Sequence, residues 1–328
     1  VRHPRIVVIP KIGWLSGLGY CLGIVRQLRR FRDQSKNPLV HAHCAYPDGV
    51  GVALAARLLG MRYVITAHGS DINVYADRPM LRAQIRWALK GADGVIAVSR
   101  ELEKKIRILL QDNRRSIEHI PCAGYRPDLF LLRNRGAIRK QLHEPVQGRL
   151  VIFIGQLVPI KAVDVLVDAW ARLYREGLLS GTDRLIIVGE GPNRARLERQ
   201  AKNAGVYQCI RFLGSISHDC VPLWLSAADA LCLPSYNEGT PNVIVEALAS
   251  GVPVVATCVG GVPDIVHDDI NGKLAPPGNA TALARAIHVT LSRNWDAQAV
   301  RRSVCHLAWD VIAERNYRFL RRSAGEAV

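Results

Sequence analysis

The chain has 328 residues, 49% of them hydrophobic and 22% charged, which is typical of a globular protein and excludes a disordered chain, a collagen and a polytopic membrane protein. This length is enough for two domains that each bury a core. Nearly all of the formal net charge of +16 lies in residues 1–150, which contain 26 Lys and Arg and 11 Asp and Glu. Residues 151–328 contain 18 Lys and Arg and 17 Asp and Glu. The asymmetry indicates an anionic partner for the first half, and the alternative is a surface merely solvated by arginine.

Metal and membrane signatures are weak. The eight cysteines include no C-x-x-C pair and none has a histidine at zinc-finger spacing, so no metal site is expected and reduced, buried thiols are favoured. The longest candidate for a membrane-spanning helix, residues 12–25, has 14 uncharged residues, whereas such a helix needs about 20. The sequence therefore predicts a soluble, cytoplasmic chain.

Short runs rich in Val and Ile alternate with amphipathic helical stretches along the whole chain. The predicted strands are residues 5–9, 39–43, 63–67, 94–98 and 117–121, then 150–155, 184–189, 210–214, 230–234 and 252–257. Strands that are apolar throughout and separated by helices favour parallel sheets covered on both faces. Two such series predict two doubly wound α/β domains.

A polar, basic stretch marks the expected domain boundary. Residues 131–149 contain Gly and Pro and precede a strong predicted strand. We therefore expect domains at 1–148 and 149–295. The tail, 296–328, is predicted to form helices that pack back toward the first domain.

The stretch from 230 to 257 carries the clearest chemistry. A predicted strand ends at Pro234, a polar turn follows, and Thr240 and Pro241 suit the cap and first position of a helix. That helix is expected to end near Ser250, because Gly251 can adopt the left-handed conformation that stops it.

Two carboxylates flank the start of this helix. Glu238 lies just before it and Glu246 lies on it, and the unpaired N–H groups of Asn242 and Val243 offer an anion site. A nucleotide fits this pattern, with its diphosphate on the helix end and the carboxylates on sugar and ribose hydroxyls. The alternative is that Glu238 only stabilises the helix dipole, by about 0.3–1 kcal/mol. These residues alone leave both interpretations open.

This stretch resembles the Glu–seven residues–Glu signature of the retaining family 4 glycosyltransferases. Further stretches follow the family pattern in chain order: 41–60, 63–73, 91–106, 155–170, 184–198, 210–217 and 260–279. The resemblance implies the α/β GT-B fold, in which two Rossmann-like domains face a cleft, with the acceptor on the first and the nucleotide sugar on the second. The YPDG and HGSDIN motifs are most similar to those of transferases that extend cell-envelope polysaccharides, of the teichuronic-acid type.

The resemblance implies a role for each donor-side residue. Glu238 accepts hydrogen bonds from the donor sugar, Glu246 accepts them from the ribose, and Lys161 neutralises the departing diphosphate. Three residues depart from the family: Gln156 stands where Arg is usual, Ala162 where Gly is usual, and Ile160 where Glu is usual, so a weaker hold on the diphosphate is expected. The remaining expected donor-site residues are Gly155, Gly239, Thr240, Asn242 and Val243.

The first half supplies the expected acceptor side. His68 matches a family histidine near the donor sugar, although a strand-end histidine satisfied by the backbone is the alternative. Asp71 either orders its loop or contacts the acceptor, and His43 and Asp48 are further acceptor-side candidates.

No cofactor or metal is expected. The GEGP turn at 189–192 is only half of a dinucleotide fingerprint, and no Asp-x-Asp pair occurs that would chelate a metal on the diphosphate. The expected substrate is a UDP- or GDP-linked sugar. Nucleic acid is not expected as a partner, because no reader motif accompanies the basic residues.

Together these features predict a metal-independent, retaining hexosyltransferase. It would move a sugar to a glycan or lipid-linked acceptor in cell-envelope polysaccharide synthesis, with its basic half on the anionic inner face of the plasma membrane. Compared with the family, the chain begins beyond the first βαβ unit, so an incomplete N-terminal domain is also expected. The alternative function is therefore a weakly active or non-catalytic remnant that binds a nucleotide sugar or a glycan.

Overall fold

The computed structural model describes residues 13–111 and 116–326. Its contacts divide the chain into two compact units. Unit 1 comprises Val1–Cys122 and Ile312–Val328, and unit 2 comprises Ala123–Val311. No helix among the described residues is long and apolar enough to cross a lipid bilayer.

Among its described residues, unit 1 contains a sheet of four parallel strands that lie side by side in chain order. The strands are β1 (Leu39–His43), β2 (Arg62–Ala67), β3 (Gly94–Ala97) and β4 (Ile117–His119). The helices are α1 (Ser16–Gln34), α2 (Val50–Leu59), α3 (Ser70–Asn73), α4 (Pro79–Gly91) and α5 (Arg100–Leu110). His43 pairs with Thr66 in the register of β1 and β2, so the segments that follow these two strands begin next to each other.

Unit 2 contains a sheet of six parallel strands in the order β10-β9-β8-β5-β6-β7. The strands are β5 (Leu150–Ile154), β6 (Arg184–Val188), β7 (Ile210–Gly214), β8 (Ala230–Leu233), β9 (Val254–Thr257) and β10 (Gly272–Ala275). The helices are α6 (Arg135–Gln141), α7 (Val163–Arg175), α8 (Arg194–Asn203), α9 (Val221–Ala227), α10 (Asn242–Ala249), α11 (Ala280–Ser292) and α12 (Ala297–Arg302). Chain order reverses between β5 and β8, which is the topological switch point where doubly wound sheets bind ligands.

Most of the predicted strands are confirmed, and one was missed. Nine of the ten predicted runs coincide with β1 to β9, and the tenth, residues 5–9, lies outside the described residues. The missed strand is β10, whose four residues include Gly272 and Lys273 and lack an apolar run. Helix α10 begins at Asn242 with Pro241 as its cap, one residue later than expected, and Gly251 takes the expected left-handed conformation.

The division into units differs from the boundary expected at 148/149. Residues 123–148 belong to unit 2, where the buried guanidinium of Arg139 donates to the Ala227 carbonyl oxygen at 2.8 Å and to Asp229 Oδ2 at 2.6 Å. The last helix, α13 (Trp309–Ser323), enters unit 1 from Ile312 onward. Its Phe319 is 1% exposed, and its Arg315 donates to the His119 carbonyl oxygen at 2.7 Å.

Candidate functional site

An ion pair lies at the switch point of unit 2. Lys161 follows β5 and Glu238 follows β8, so both lie beyond the carboxyl ends of the two strands between which chain order reverses. Lys161 Nζ is 2.7 Å from Glu238 Oε1, and Ser235 Oγ donates to the same oxygen at 2.5 Å. The two paired side chains are 25% and 9% exposed. The arrangement therefore presents a cation whose own carboxylate partner is largely shielded from water.

Backbone contacts hold Glu238 in place from two sides. The Tyr236 amide donates to the Ile160 carbonyl oxygen at 2.9 Å, and the Gly261 amide donates to the Gly239 carbonyl oxygen at 2.8 Å. Gly260 has a φ of 53°, and a Cβ there would overlap the Glu238 carbonyl oxygen. A glycine at position 260 is therefore required by both conformation and space.

The loop of Gly155 and Gln156 rests on the GEGP turn. The Gly155 amide donates to the Val188 carbonyl oxygen at 3.0 Å, while Gly189, with a φ of 131°, approaches so closely that a Cβ would overlap the Gly155 carbonyl oxygen. Gln156 is exposed. Ala162 adopts a φ of 48°, which gives a physical reason for the family's usual glycine at this position.

Glu246 lies on α10, close behind the helix start formed by Asn242 and Val243. Its side chain is 10% exposed, and His218 Nε2 lies 3.2 Å from its Oε1. Burial raises the pKa of the Glu246 carboxyl, and His218 opposes that rise. The carboxylate is therefore buried beside a helix N-terminus, with an imidazole as its side-chain partner among the described residues.

Two of these contacts could not be read from the sequence. His218 follows β7, and Ser235 follows β8. His218 lies just beyond the stretch 210–217 that resembles the family, and Ser235 lies within 230–257 but was not singled out there. The one available signal was that both follow a predicted strand, since the carboxyl ends of parallel strands share one edge of the sheet.

Three histidines cluster at the corresponding edge of unit 1. His43 Nδ1 lies 3.2 Å from His68 Nε2, and His41 Nε2 lies 2.7 Å from Thr66 Oγ1, with its ring 4.5 Å from that of His43. Burial, reinforced by the neighbouring imidazoles, lowers the pKa of His41 to about 4. Burial and His43 also lower the pKa of His68. His41 and His68 are thus held toward their neutral forms.

Asp71 ties two loops of unit 1 together. Its carboxylate accepts hydrogen bonds from the amides of Ala45 at 2.6 Å, Gly69 at 2.8 Å and His68 at 3.2 Å, and the residue is 1% exposed. Of the two roles left open by the sequence, this geometry supports ordering of the loop. Asp48 lies half-buried nearby, and burial raises the pKa of its carboxyl.

Within residues 13–111 and 116–326, no group of three or more His, Cys, Asp or Glu side chains is placed to hold a metal ion. The absence of a metal from the reaction stays a prediction.

Sequence comparisons identify relatives of both halves. Residues 1–123 match the family described as Glycosyltransferase Family 4, and residues 148–293 match Glycosyl transferases group 1. TuaC of Bacillus subtilis (strain 168), a glycosyltransferase provisionally assigned to teichuronic acid biosynthesis, is 33% identical over 259 residues, which are 76% of this chain and 60% of TuaC. The D-inositol 3-phosphate glycosyltransferase of Mycobacterium leprae (strain TN) is 33% identical over 340 residues, covering 99% of this chain and 70% of that protein. The chain thus spans less than two thirds of the length of TuaC.

Solved structures show the same fold at lower identity. A glycosyltransferase from Rickettsia africae matches 100% of this chain and 86% of its own at 19% identity, with a TM-score of 0.80. Anabaena HepE, crystallised with UDP, matches 94% of this chain and 84% of its own at 22% identity, with a TM-score of 0.76. The two parallel sheets and these neighbours establish the α/β GT-B fold, and the family matches with the relative from M. leprae show that the chain belongs to glycosyltransferase family 4.

Proposed function

We propose that the chain transfers a sugar, with retention of configuration, from a UDP- or GDP-linked donor to a glycan or lipid-linked acceptor of cell-envelope polysaccharide. The observation that carries this proposal is the Lys161–Glu238 pair at the switch point of unit 2, beside the start of α10. Two comparisons support it. HepE has been crystallised with UDP-glucose, and TuaC is provisionally assigned to teichuronic acid biosynthesis.

The donor would bind to unit 2. The Lys161 ammonium group and the N–H groups at the start of α10 suit a diphosphate, since both favour negative charge. Gly239, Thr240, Asn242 and Val243 lie at or just before that helix start.

The two carboxylates would bind the sugars of the donor. Glu246, buried and facing His218, suits the ribose diol. Glu238 suits the hydroxyl groups of the transferred sugar. Each hydrogen bond to a charged group of this kind contributes about 1.5–3 kcal/mol.

The reaction requires one bond exchange and one proton transfer. The bond between the anomeric carbon and the phosphate oxygen breaks, a bond to the acceptor oxygen forms on the same face, and the acceptor proton passes to a diphosphate oxygen. Lys161 would offset the charge that develops on the leaving diphosphate. No covalent intermediate with the protein is part of this proposal.

Unit 1 would bind the acceptor. The neutral His68 can exchange hydrogen bonds with sugar hydroxyls, and its pairing with His43 fixes the orientation of its ring. Asp71 holds the amides of His68 and Gly69 and so keeps this loop in one conformation. We assign His68 a role in the reaction and Asp71 a positioning role.

Helix α1 suits an anionic membrane surface. Leu18, Leu22, Arg26 and Arg29 are exposed and recur every three or four residues, so they lie on one face of the helix. Trp14 is 45% exposed just before it. An apolar segment followed by arginines matches the interface of a bilayer with anionic headgroups.

Nucleotide binding tests the donor site. We expect one of UDP, GDP and ADP to raise the Tm of the full chain, because a ligand that binds only the folded state stabilises it by RT ln(1 + [L]/Kd). Glu246→Gln and Lys161→Gln should each weaken that nucleotide at least tenfold, measured by calorimetry. The controls are Glu176→Gln and Lys202→Gln, at exposed residues of the same two types on the same unit. Full nucleotide affinity in both site variants would contradict the donor assignment.

Product formation separates a transferase from a remnant that only binds. The donors to test are the α-linked glucose, galactose and N-acetylglucosamine derivatives of the nucleotide that binds, each with a panel of glycan and lipid-linked acceptors. NMR of the product gives the coupling constant of its anomeric proton. An α-linked product supports retention, a β-linked product contradicts it, and binding without any product supports the remnant.

A further inference from the structure

Unit 1 contains a cavity of about 720 Å³ that the proposed roles do not use. This volume is within the range of about 300–1,000 Å³ that is usual for small-molecule sites. The cavity lies between the start of α1, the segment after β1 and the start of α4. Its lining includes four aromatic residues and two charged ones: Trp14, Tyr20, Tyr46, Tyr75, Asp48 and Arg78.

The aromatic side chains form a fixed wall. Tyr46 is 6% exposed, and its hydroxyl donates to the Gly13 carbonyl oxygen. The Tyr75 ring meets the Tyr46 ring edge-on, with centroids 5.7 Å apart. Trp14 remains 45% exposed. The cavity therefore offers both a buried aromatic base and an accessible indole ring.

Polar groups at the cavity remain available to a ligand. Within the described part of the chain, the guanidinium of Arg78 and the hydroxyls of Tyr20 and Tyr75, all of which line the cavity, have no hydrogen-bond or ion-pair partner. Burial raises the pKa of Tyr20, and the charge of Asp48 adds to that rise. Asp48 and Tyr20 both line the cavity, so both can contact the same ligand.

One residue of the cavity, Asp48, lies close to the histidine pair. The segment Ala45–Gly49 that carries Asp48 is separated from His43 by Cys44 alone, and the charge of His43 acts on Asp48. A ligand bound to Asp48 would thus lie near His43, on the unit where the proposed function places the acceptor.

A carbohydrate fits this lining better than an acyl chain does. A pyranose ring has apolar C–H faces, which pack on aromatic rings, and a rim of hydroxyls, which need hydrogen-bond partners such as carboxylate and guanidinium groups. An acyl chain would cover Asp48 and Arg78 without pairing them, and burying unpaired charge is unfavourable. Tyr and Trp also present an apolar body with a polar tip.

We propose that this cavity is a subsite for a pyranose unit of the acceptor glycan, stacked on the aromatic wall and bonded through its hydroxyls to Asp48. The proposal rests on the proposed function for the identity of the ligand as an acceptor. It adds a binding site on unit 1 that is separate from the donor-side residues.

The test uses the full chain and three probes: cellobiose, N,N′-diacetylchitobiose and a disaccharide that contains glucuronic acid. Saturation-transfer difference NMR should show binding of at least one of them. Asp48→Asn keeps the shape of the side chain, and Tyr75→Leu keeps an apolar wall without the ring. Each should weaken binding at least fivefold, whereas Asp33→Asn on unit 1 and Tyr174→Leu on unit 2 should leave it unchanged.

Three results would overturn the subsite: none of the probes binds, both cavity variants bind as the unchanged chain does, or decanoate binds and keeps its affinity in Asp48→Asn. The last result would identify an acyl site. Nucleotide binding, measured on the same samples, reports unit 2 independently. If the chain without substitutions binds no nucleotide, the proposed function is contradicted. If it binds a nucleotide but none of the disaccharides, only the subsite is contradicted.

Discussion

Glu246 is placed where its charge is unfavourable for folding. Its side chain is 10% exposed, and burial raises the pKa of its carboxyl while His218 lowers it. Such a group binds a proton more readily in the folded state than in the unfolded chain. At pH 7 the ionised carboxylate therefore reduces stability, as expected for a residue retained to bind a ligand.

Glu246→Gln should raise the Tm of the nucleotide-free chain at pH 7, because it removes the buried charge. The sign follows from the raised pKa: the penalty is complete above the pKa of the folded state and is absent below 4.5, the ordinary pKa of a glutamate carboxyl. The gain should therefore shrink as pH falls and disappear near pH 4.5. Thermal unfolding of both chains between pH 4.5 and 8 measures it.

His218→Ala provides the opposing variant, since it removes the group that lowers the pKa of Glu246. It should reduce the Tm at pH 7, and His267→Ala, at an exposed histidine of the same unit, should not. A Tm gain of Glu246→Gln that stays constant from pH 8 to 4.5 would show that the carboxylate carries no burial penalty.

Sequence reasoning at this scale found the residues that belong to motifs and missed those that meet them through the fold. Lys161 and Glu238 were identified by their stretches, and they form an ion pair. His218 contacts Glu246 across 28 positions of sequence, so only the arrangement of strands brings the two together.

At the scale of elements, apolar runs were clearest where a strand is buried along its whole length. β8 and β9 are buried at every position, and both were predicted. β10 has two half-buried positions among its four residues, and such a short, mixed strand leaves no distinctive pattern. Residues 123–148 belong to unit 2, and the hydrogen bonds that hold Arg139 there leave no signal in the polar sequence around it.

Contact between the loop of Gly260 and the loop of Glu238 holds Glu238 in place. Gly260→Ala should destabilise unit 2 by roughly 3 kcal/mol or more, because it combines left-handed strain of about 1–2 kcal/mol with overlap on the Glu238 carbonyl oxygen. The displaced loop should also lose nucleotide affinity. Denaturant unfolding and calorimetry measure the two effects.

Gly205→Ala is the matched control for that prediction. Gly205 also has a left-handed φ, of 73°, but no atom lies within 4 Å of a Cβ there. It should show the conformational strain alone and keep full nucleotide affinity. Equal destabilisation by the two variants would mean that contact with the Glu238 loop is unimportant.

At the scale of the whole molecule, the uneven distribution of charge indicates that the two halves of the chain bind different partners. Residues 1–150 carry the excess of 26 basic over 11 acidic residues, and most of this stretch belongs to unit 1. Charge of this kind acts on association and not on the fold, so its effect must be sought in what unit 1 binds. The exposed face of α1 supplies a specific surface for that role.

Flotation with liposomes tests that surface. The chain should bind vesicles containing 30% phosphatidylglycerol more tightly than pure phosphatidylcholine vesicles. Replacing Arg26, Arg29 and Arg30 with Gln should weaken the binding on the order of a hundredfold, since each basic residue near an anionic surface contributes about 1 kcal/mol. The same number of charges removed from α8, by Gln at Arg196, Arg199 and Lys202, should have little effect. Equal binding to both vesicle types, or equal loss in the two triple variants, would contradict docking through α1.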